Sequence, residues 1–339
     1  KIKCINTIVV YKTVEKKSKL SDIVWDLHLV KDLIIGTMAA MTLANIAVGI
    51  IIGLFLIWTD CHAYLMEKGE KNSMTNQEYR QAVGISRSDL FKFARSPQHF
   101  KYEQENPSEQ SKALLFGIAL HSYILEPDKF ENEYAIIPSC DKRTKAGKET
   151  YRQFLADNEG KFFIDQDDMD VIKQMADSVN GIPIARKLLE GKHEQSFFWT
   201  DDMTGEKCKC RPDILTEIGE TTIIADLKTC ESAQTDVFMR KAVEYGYDLQ
   251  AYMYCEGVSK NINKKCCFVF IAIEKKPPYA VNILQADEYM MLRGQDLFRE
   301  YLGTYHYCKE SGNWFGYNGM TGDINNLTLP AWIRKDYEK

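Results

Sequence analysis

Hydrophobic and polar positions follow two different periods along the chain. Up to about residue 183, apolar residues recur at the spacing of amphipathic helices. This pattern predicts four helices, the third of which begins as a basic loop: 85–103, 112–127, 141–158 and 165–183. The first helix is expected to begin at Ser86 or Ser88 and to be closed by Pro97.

Beyond Gly191, apolar and polar residues alternate, which is typical of strands. The predicted strands are 193–201, 206–218, 221–229 and 265–274. A helical stretch over 233–260 separates the last two of them. Helices followed by a hairpin, a crossover helix and a further strand predict an α/β fold, with a central mixed sheet flanked by helices.

One segment departs from both patterns. Residues 33–58 contain no charge and end on Trp58, so they form a candidate transmembrane helix outside the α/β domain. Two interpretations stay open: a membrane anchor, or an upstream reading-frame extension, because the chain opens on Lys1 and "MTNQEYRQAVGIS" at Met74 resembles a natural start. We favour the second, with an extension at 1–73 and a domain at 74–339.

Composition narrows the class of protein. The chain has 43 basic and 48 acidic residues and a net charge of -5, so any nucleic-acid site must be a local basic patch. Its ten cysteines form no CxxC pair and no zinc-like Cys/His spacing. We interpret them as reduced thiols of a cytoplasmic protein, which would be membrane-tethered only if residues 1–73 are a genuine part of it.

The stretch "RPDILTEIGETTIIADLKT" places charges at the end of an apolar strand. If Gly219-Glu220 forms a two-residue turn, Asp213 faces Asp226 and Arg211 faces Lys228. Because side chains alternate along a strand, these four emerge on one face and apolar residues line the other.

Two carboxylates that face each other across a sheet repel, so their placement indicates that something compensates the repulsion. A divalent cation such as Mg²⁺ would compensate it, because this ion prefers oxygen ligands. Lys228 would then act on an attacking water or stabilise charge on a phosphate. The alternative is a solvated strand end with an incidental ion pair.

The chain resembles a known nuclease family in several short pieces. In order along the chain, these are Pro212-Asp213, Asp226-Leu227-Lys228, and Gln250 followed four residues later by Tyr254. The first two pieces resemble the PD-(D/E)xK motif, and the last resembles the QxxxY motif of its exonuclease branch. From Met74 to about Lys335, with "SRSDLFKFARSP", "RTKAGK" and "LPAW" as further pieces, the chain resembles the phage and prophage RecE-type exonuclease VIII nuclease domain.

The resemblance implies roles for individual residues. The implied metal ligands are Asp213, Asp226, the main-chain carbonyl of Leu227, and His121. The implied catalytic residues are Lys228, Glu194, Gln250 and Tyr254. Ordinary roles compete with three of these assignments: a core histidine for His121, a surface carboxylate for Glu194, and plain helix packing for the QxxxY pair.

DNA contacts are expected at a helix start and beside the catalytic pair. The candidate residues are Ser86, Arg87, Ser88 and Arg211. Free N–H groups at a helix start and a guanidinium can receive a terminal phosphate. Ordinary helix capping explains the serines equally well.

The resemblance implies a double-strand DNA exonuclease that works 5′ to 3′ with Mg²⁺, or Mn²⁺ in its place, and leaves 3′ single strands in phage recombination. The implied partners are double-stranded DNA ends, a RecT-type single-strand annealing protein and further copies of the chain in a ring. One alternative is an AddB-type or Cas4-like nuclease module. Those carry an iron–sulfur cluster, which is not expected here because the C-terminal region offers only Cys308. The other alternative is a catalytically inactive DNA-end-binding protein.

Overall fold

Helices and strands alternate in groups along the part of the protein that the structure describes, which in this computed structural model is residues 74–107 and 112–338. The strands there are β1 (Tyr134–Ile136), β2 (Phe162–Ile164), β3 (Lys192–His193), β4 (Phe197–Thr200), β5 (Lys207–Cys210), β6 (Ile214–Ile218), β7 (Thr221–Cys230), β8 (Cys266–Glu274) and β9 (Val281–Gln285).

The helices in the same residues are α1 (Asn76–Gln81), α2 (Arg87–Phe91), α3 (Pro97–Glu105), α4 (Lys112–Leu125), α5 (Pro127–Glu133), α6 (Lys145–Asp157), α7 (Gln166–Gly181), α8 (Pro183–Leu189), α9 (Thr235–Glu244), α10 (Tyr247–Ile262), α11 (Glu288–Ser311) and α12 (Ala331–Arg334). A short 3-10 turn, Lys92–Ala94, follows α2.

The central sheet has five strands in the order β3-β6-β7-β8-β9. All neighbouring strands are antiparallel except β7 and β8, which are parallel. The chain passes from β7 to β8 through α9 and α10, because two parallel strands can be joined only by a crossover connection. The two central strands are buried on both faces, which explains why β8 is an almost continuous apolar run.

Two layers of helices cover the sheet. One face packs on α4, α7 and α8 through Leu120, Ile172 and Leu188, all almost fully buried. The other face packs on α10 and α11 and on the separate β4–β5 hairpin, where Phe268 and Phe298 lie in the core. The predicted fold class, a central mixed sheet flanked by helices, is confirmed.

The predicted hairpin register is also confirmed. Ile214 pairs with Ala225 and Ile218 with Thr221, which leaves Gly219-Glu220 as the two-residue turn. Gly219 has a φ of 62°, a conformation that its missing side chain permits. The register therefore brings Asp213 and Asp226 to the same end of the hairpin.

The predicted strand 206–218 is wrong as a single element. It divides into β5, which pairs with β4, and β6, which belongs to the central sheet. Pro212 lies at the change of partner and has no N–H to donate to a ladder. Consequently Arg211 does not lie opposite Lys228 in the ladder.

Two of the predicted helices are also divided. The first does not continue to Pro97, because Ser96 caps a new helix in which Pro97 is the first residue. The stretch 233–260 is interrupted at Gly246, whose φ of 63° ends α9 and starts α10. A side chain at Gly246 would meet the ring of Phe91, so this glycine also permits close packing.

The candidate transmembrane helix 33–58 and the proposed extension 1–73 lie outside the described residues. Among the residues that are described, no helix is both long and apolar enough to cross a bilayer.

Candidate active site

The side chains of Asp226 and Lys228 project from β7 on the face of the sheet that packs against α10. The Nζ atom of Lys228 lies 2.6 Å from Oδ2 of Asp226, whose side chain is only 2% exposed. The other carboxylate oxygen, Oδ1, accepts a hydrogen bond from Nε2 of Gln250 on α10 at 2.5 Å. Gln250 is itself buried. Asp226 is therefore fixed by a partner on each oxygen.

Asp213 lies directly before β6 and completes the carboxylate pair. Its Oδ2 atom accepts the main-chain N–H of Leu227 at 2.9 Å and lies 3.3 Å from Nδ1 of His121. His121 also contacts the main chain of Leu227. Asp213, His121 and the main chain of Leu227 thus contact one another, and Asp226, one residue before Leu227, lies close enough for its charge to act on Asp213.

Burial and like charge decide the protonation of this pair. Burial and the neighbouring Asp226 raise the pKa of Asp213 well above its usual range. Burial opposes the charge on Lys228, but Asp226 and Asp213 outweigh it and raise the pKa of the ammonium. Lys228 is accordingly a permanent cation at neutral pH.

Glu194 stands beside the carboxylates in an unusual backbone conformation. Its φ is 51°, in the left-handed region that a glutamate rarely adopts. Its N–H donates to the main-chain carbonyl of Asp213 at 3.0 Å, and its Oε2 accepts from Nε of Arg211 at 2.7 Å. Burial and Asp213 raise the pKa of Glu194 to about 7, while Arg211 opposes that rise.

The comparisons with known proteins bear on this arrangement. The family described as "PDDEXK-like domain of unknown function (DUF3799)" matches residues 86–324, which include the whole carboxylate cluster. The chain belongs to this PDDEXK-like family. A search of curated proteins finds no significant match.

A solved structure shares the fold of this PDDEXK-like domain. A crystal structure called "Putative exonuclease", from Eubacterium rectale, is 18% identical and has a TM-score of 0.51, covering 78% of this chain and 98% of that chain. At this identity the likeness concerns the fold alone. The crystal structure of SSO0001, at 14% identity and a TM-score of 0.29 over 75% of this chain and 86% of that chain, is too distant to support an argument.

Arg87 is held at the edge of the PDDEXK-like site by two aromatic rings. Its Cζ atom lies 4.8 Å from the centre of the Phe91 ring and 6.0 Å from that of Tyr247. One guanidinium nitrogen donates to the main-chain carbonyl of Tyr245, whereas the buried Nε has no hydrogen-bond partner. Burial lowers the pKa of Arg87, and the negative charge of Asp226 raises it in part. A buried, unpaired donor on a half-buried cation suits an anionic ligand.

The other predicted residues lie in different settings. Ser86 is the N-cap of α2, and its hydroxyl is bonded to Asp89 in a capping box. Ser88 is exposed on the same helix. Tyr254 packs its ring edge-on against Phe268, 6.1 Å between centres, and burial raises its pKa. Arg211 is only 8% exposed and bonds three protein acceptors, so its predicted contact with DNA stays a prediction.

A cleft of about 1250 Å³ opens onto the site. His121, Glu194 and Arg211 line it together with residues of α1 and α4. Two cations along its wall are paired with acids, Lys129 with Glu126 at 2.9 Å and Arg211 with Glu194, whereas Arg80 donates to the side-chain oxygen of Asn76. The site is therefore open on one side, to a cleft that carries both positive and negative side chains.

The donor set has the chemistry of a divalent-metal site. Two adjacent carboxylates, of which Asp226 is buried and Asp213 half-buried, together with a main-chain carbonyl and an imidazole, are ligands that Mg²⁺ or Mn²⁺ accepts. The repulsion that raises the pKa of Asp213 is what a bound cation would relieve. Within residues 74–107 and 112–338, however, no three His, Cys, Asp or Glu side chains are grouped closely enough to hold an ion. The two oxygens of Asp226 are turned to Lys228 and Gln250.

Three residues of the site region were not predicted from the sequence. Tyr247 lies with its ring 4.9 Å from Nζ of Lys228, and Tyr79 lies 5.7 Å from Cζ of Arg211. Lys209 is buried behind α1. The alternation of "KCKCR", in which Lys209 shares a strand face with Arg211, is the signal that could have identified Lys209.

Proposed function

We propose that this protein is a metal-dependent exodeoxyribonuclease that hydrolyses phosphodiester bonds at the ends of double-stranded DNA. One observation carries the proposal: Asp213, Asp226 and Lys228 meet at one end of a buried hairpin, and Gln250 locks Asp226 from the facing helix. Ordinary surface ion pairs are exposed and are not held by a buried amide. Such a buried charged cluster is typical of a catalytic site.

The residues that would hold the cation are Asp213, Asp226, His121 and the main-chain carbonyl of Leu227. When bound, a divalent cation supplies an activated water and neutralises charge on the phosphate. The N–H of Leu227 orients Asp213, and Gln250 orients Asp226, so both carboxylates are positioned before substrate arrives.

Lys228 acts through its charge. Its pKa is raised by the two aspartates, so the amine does not serve as a general base near neutral pH. Its ammonium instead stabilises negative charge that develops on the phosphate. Tyr247, whose ring lies 4.9 Å from Nζ, helps to hold the ammonium in place.

Glu194 is the residue suited to proton transfer. A carboxyl group whose pKa is about 7 exists in both protonation states at neutral pH, as a general acid or base requires. It lines the cleft and is oriented by Arg211. We assign it the proton that the attacking water loses.

Arg87 is assigned to a phosphate of the bound strand. Its Nε is buried without a partner, and its guanidinium is close enough to Asp226 for their charges to interact. A phosphate held there would lie beside the carboxylate pair. We also assign Ser88, exposed one residue later on α2, to the bound strand, whereas the hydroxyl of Ser86 is engaged in capping.

The finer assignment follows from the resemblance to RecE-type exonuclease VIII. It supports cleavage from the 5′ end, production of 3′ single strands, a RecT-type annealing partner and a ring of identical subunits. The fold shared with the "Putative exonuclease" from Eubacterium rectale is consistent with an exonuclease.

The test uses the purified full chain with Mg²⁺, and in parallel with Mn²⁺. The substrates are linear duplex DNA labelled at one 5′ end and a closed circular duplex. Release of labelled mononucleotides from the linear DNA, with the circle intact, is the expected result. Cutting of the circle would mean an endonuclease. Binding of ends without cleavage of either substrate would mean an inactive end-binding protein.

A further inference from the structure

Helix α1 is too short to be stable by itself. It has six residues, none of them buried, and its own stabilisation is a capping box between Thr75 and Glu78. Isolated helices of this length are marginal in water, because nucleation costs more than a few hydrogen bonds return. Contacts from elsewhere in the fold must therefore fix its position.

Two cations from one strand segment supply those contacts. Nζ of Lys209 donates to the carbonyl oxygens of Tyr79, Arg80 and Ala82 at 3.0, 3.2 and 2.7 Å, at the C-terminal end of α1. Nη1 of Arg211 donates to the carbonyl of Met74 at 2.8 Å, at the other end. Side-chain alternation sends both cations toward α1, while Cys208 and Cys210 enter the core.

Tyr79 lies between the two cations. The centre of its ring is 5.1 Å from Nζ of Lys209 and 5.7 Å from Cζ of Arg211. Lys209 is only 5% exposed, and burial lowers its pKa. Its three carbonyl partners, at the negative end of the helix dipole, offset the cost of burying an ammonium. We call Lys209, Arg211 and Tyr79 the α1 clamp.

The clamped helix forms one wall of the active-site cleft. Asn76, Gln77, Arg80 and Gln81 line the cleft that also contains His121 and Glu194. Lys209 is not among the described residues that line it. Arg211 links the wall to the site directly, because the same guanidinium binds Glu194 at 2.7 Å and Met74.

We propose that Lys209 is a positioning residue that fixes α1 as the wall against which the sugar–phosphate backbone of the substrate strand lies. This proposal rests on the proposed nuclease function. The polar side chains of α1 would make the contacts, and Lys209 would act through them without touching the substrate. Loss of Lys209 should therefore weaken substrate binding more than it slows the chemical step.

The test compares Lys209→Met with Lys209→Arg and with Lys207→Met, a control on the exposed start of the same strand. Steady-state cleavage of linear duplex DNA gives KM and kcat, and hydrogen exchange reports protection of the amides of residues 76–82. We expect Lys209→Met to raise KM about tenfold with less than about a threefold change in kcat. Lys209→Arg should recover most of the affinity, and Lys207→Met should match the wild type.

A second variant removes the clamp from the helix side, in case Lys209→Met does not fold. Tyr79→Leu should raise KM in the same way and increase exchange over residues 76–82 while the central sheet stays protected. Unchanged KM in both folded variants would overturn the proposal, and so would faster exchange of α1 without a change in KM. If the wild type cleaves no DNA, the proposed function fails, and binding of uncut duplex DNA then supplies the affinity for the same comparison.

Discussion

The two faces of the central sheet are built from alternate residues of the same strands, yet they differ in kind. Toward α4 and α7, β7 presents Ala225 and Leu227, which lie in an apolar core. Toward α10 it presents Ile224, Asp226 and Lys228, so an ion pair is placed within a core. A shift of one residue would exchange the two faces, and the turn at Gly219 prevents it.

The difference shows how the protein supports a buried charge. The apolar face holds β7 rigidly, and its main chain in turn holds the site, since the N–H of Leu227 orients Asp213. On the polar face, Gln250 and Lys228 each contact one oxygen of the Asp226 carboxylate. One face should therefore control stability and the other activity. Three predictions test that division, and a fourth concerns Glu194 beside the carboxylates.

The largest effect is expected for Asp226→Asn on the polar face. The amide keeps the volume and one acceptor of the carboxylate, but it removes the charge that faces Lys228. We expect cleavage of linear duplex DNA to fall about a hundredfold or more, measured as label released with Mg²⁺. Asp236→Asn, in an exposed ion pair on α9, is the control and should leave activity unchanged. Normal cleavage by Asp226→Asn would remove the proposed site.

On the apolar face, Leu227→Ala should lower stability rather than activity. The side chain is completely buried, and the substitution keeps the main-chain carbonyl and N–H that serve the site. We expect the free energy of unfolding in urea to fall by about 2–5 kcal/mol. Activity per folded molecule at low temperature should stay near that of the wild type. Leu292→Ala, half exposed on α11, should change stability little; a selective loss of activity in Leu227→Ala would contradict the division.

The substitution Gln250→Leu tests how far activity depends on the orientation of Asp226, because it leaves the charge of Asp226 in place. Leucine has a similar size, so packing in the buried setting is maintained, but Oδ1 of Asp226 loses its donor. We expect kcat to fall about tenfold with the fold intact, as for other residues that orient a ligand. The measurement is cleavage over a range of Mg²⁺ concentrations, with Gln295→Leu, at an exposed position of α11, as the matched control. An unchanged kcat would mean that Lys228 alone orients Asp226.

Sequence patterns predicted the charged residues of the polar face better than they predicted the residues that hold the site in place. The alternation in β6 and β7 and the glycine-first turn were sufficient to place Asp213 and Asp226 together, because a two-residue loop fixes the register. The break between β5 and β6 at Pro212 was not predicted, because the alternation of apolar residues continues through Pro212. What changes there is the hydrogen-bond partner, from β4 to β7. The alternation in "KCKCR" could place Lys209 on the strand face of Arg211, but its contact with Tyr79 joins residues 130 positions apart, which no local pattern encodes.

The smallest effect concerns Glu194, whose pKa in the folded protein is about 7 compared with an ordinary value of 4.5. A raised carboxyl pKa means that the folded state holds a proton which the unfolded state has released. The stability from this group is therefore complete below about pH 4.5 and is lost as the pH rises to about 7. In metal-free buffer, urea unfolding of the wild type should show this decline. Glu194→Gln has no proton to lose, so its stability should decline less over the same interval, while Glu190→Gln on the exposed surface should follow the wild type. Equal slopes for the wild type and Glu194→Gln would show that Arg211, through its 2.7 Å ion pair, keeps the carboxylate charged.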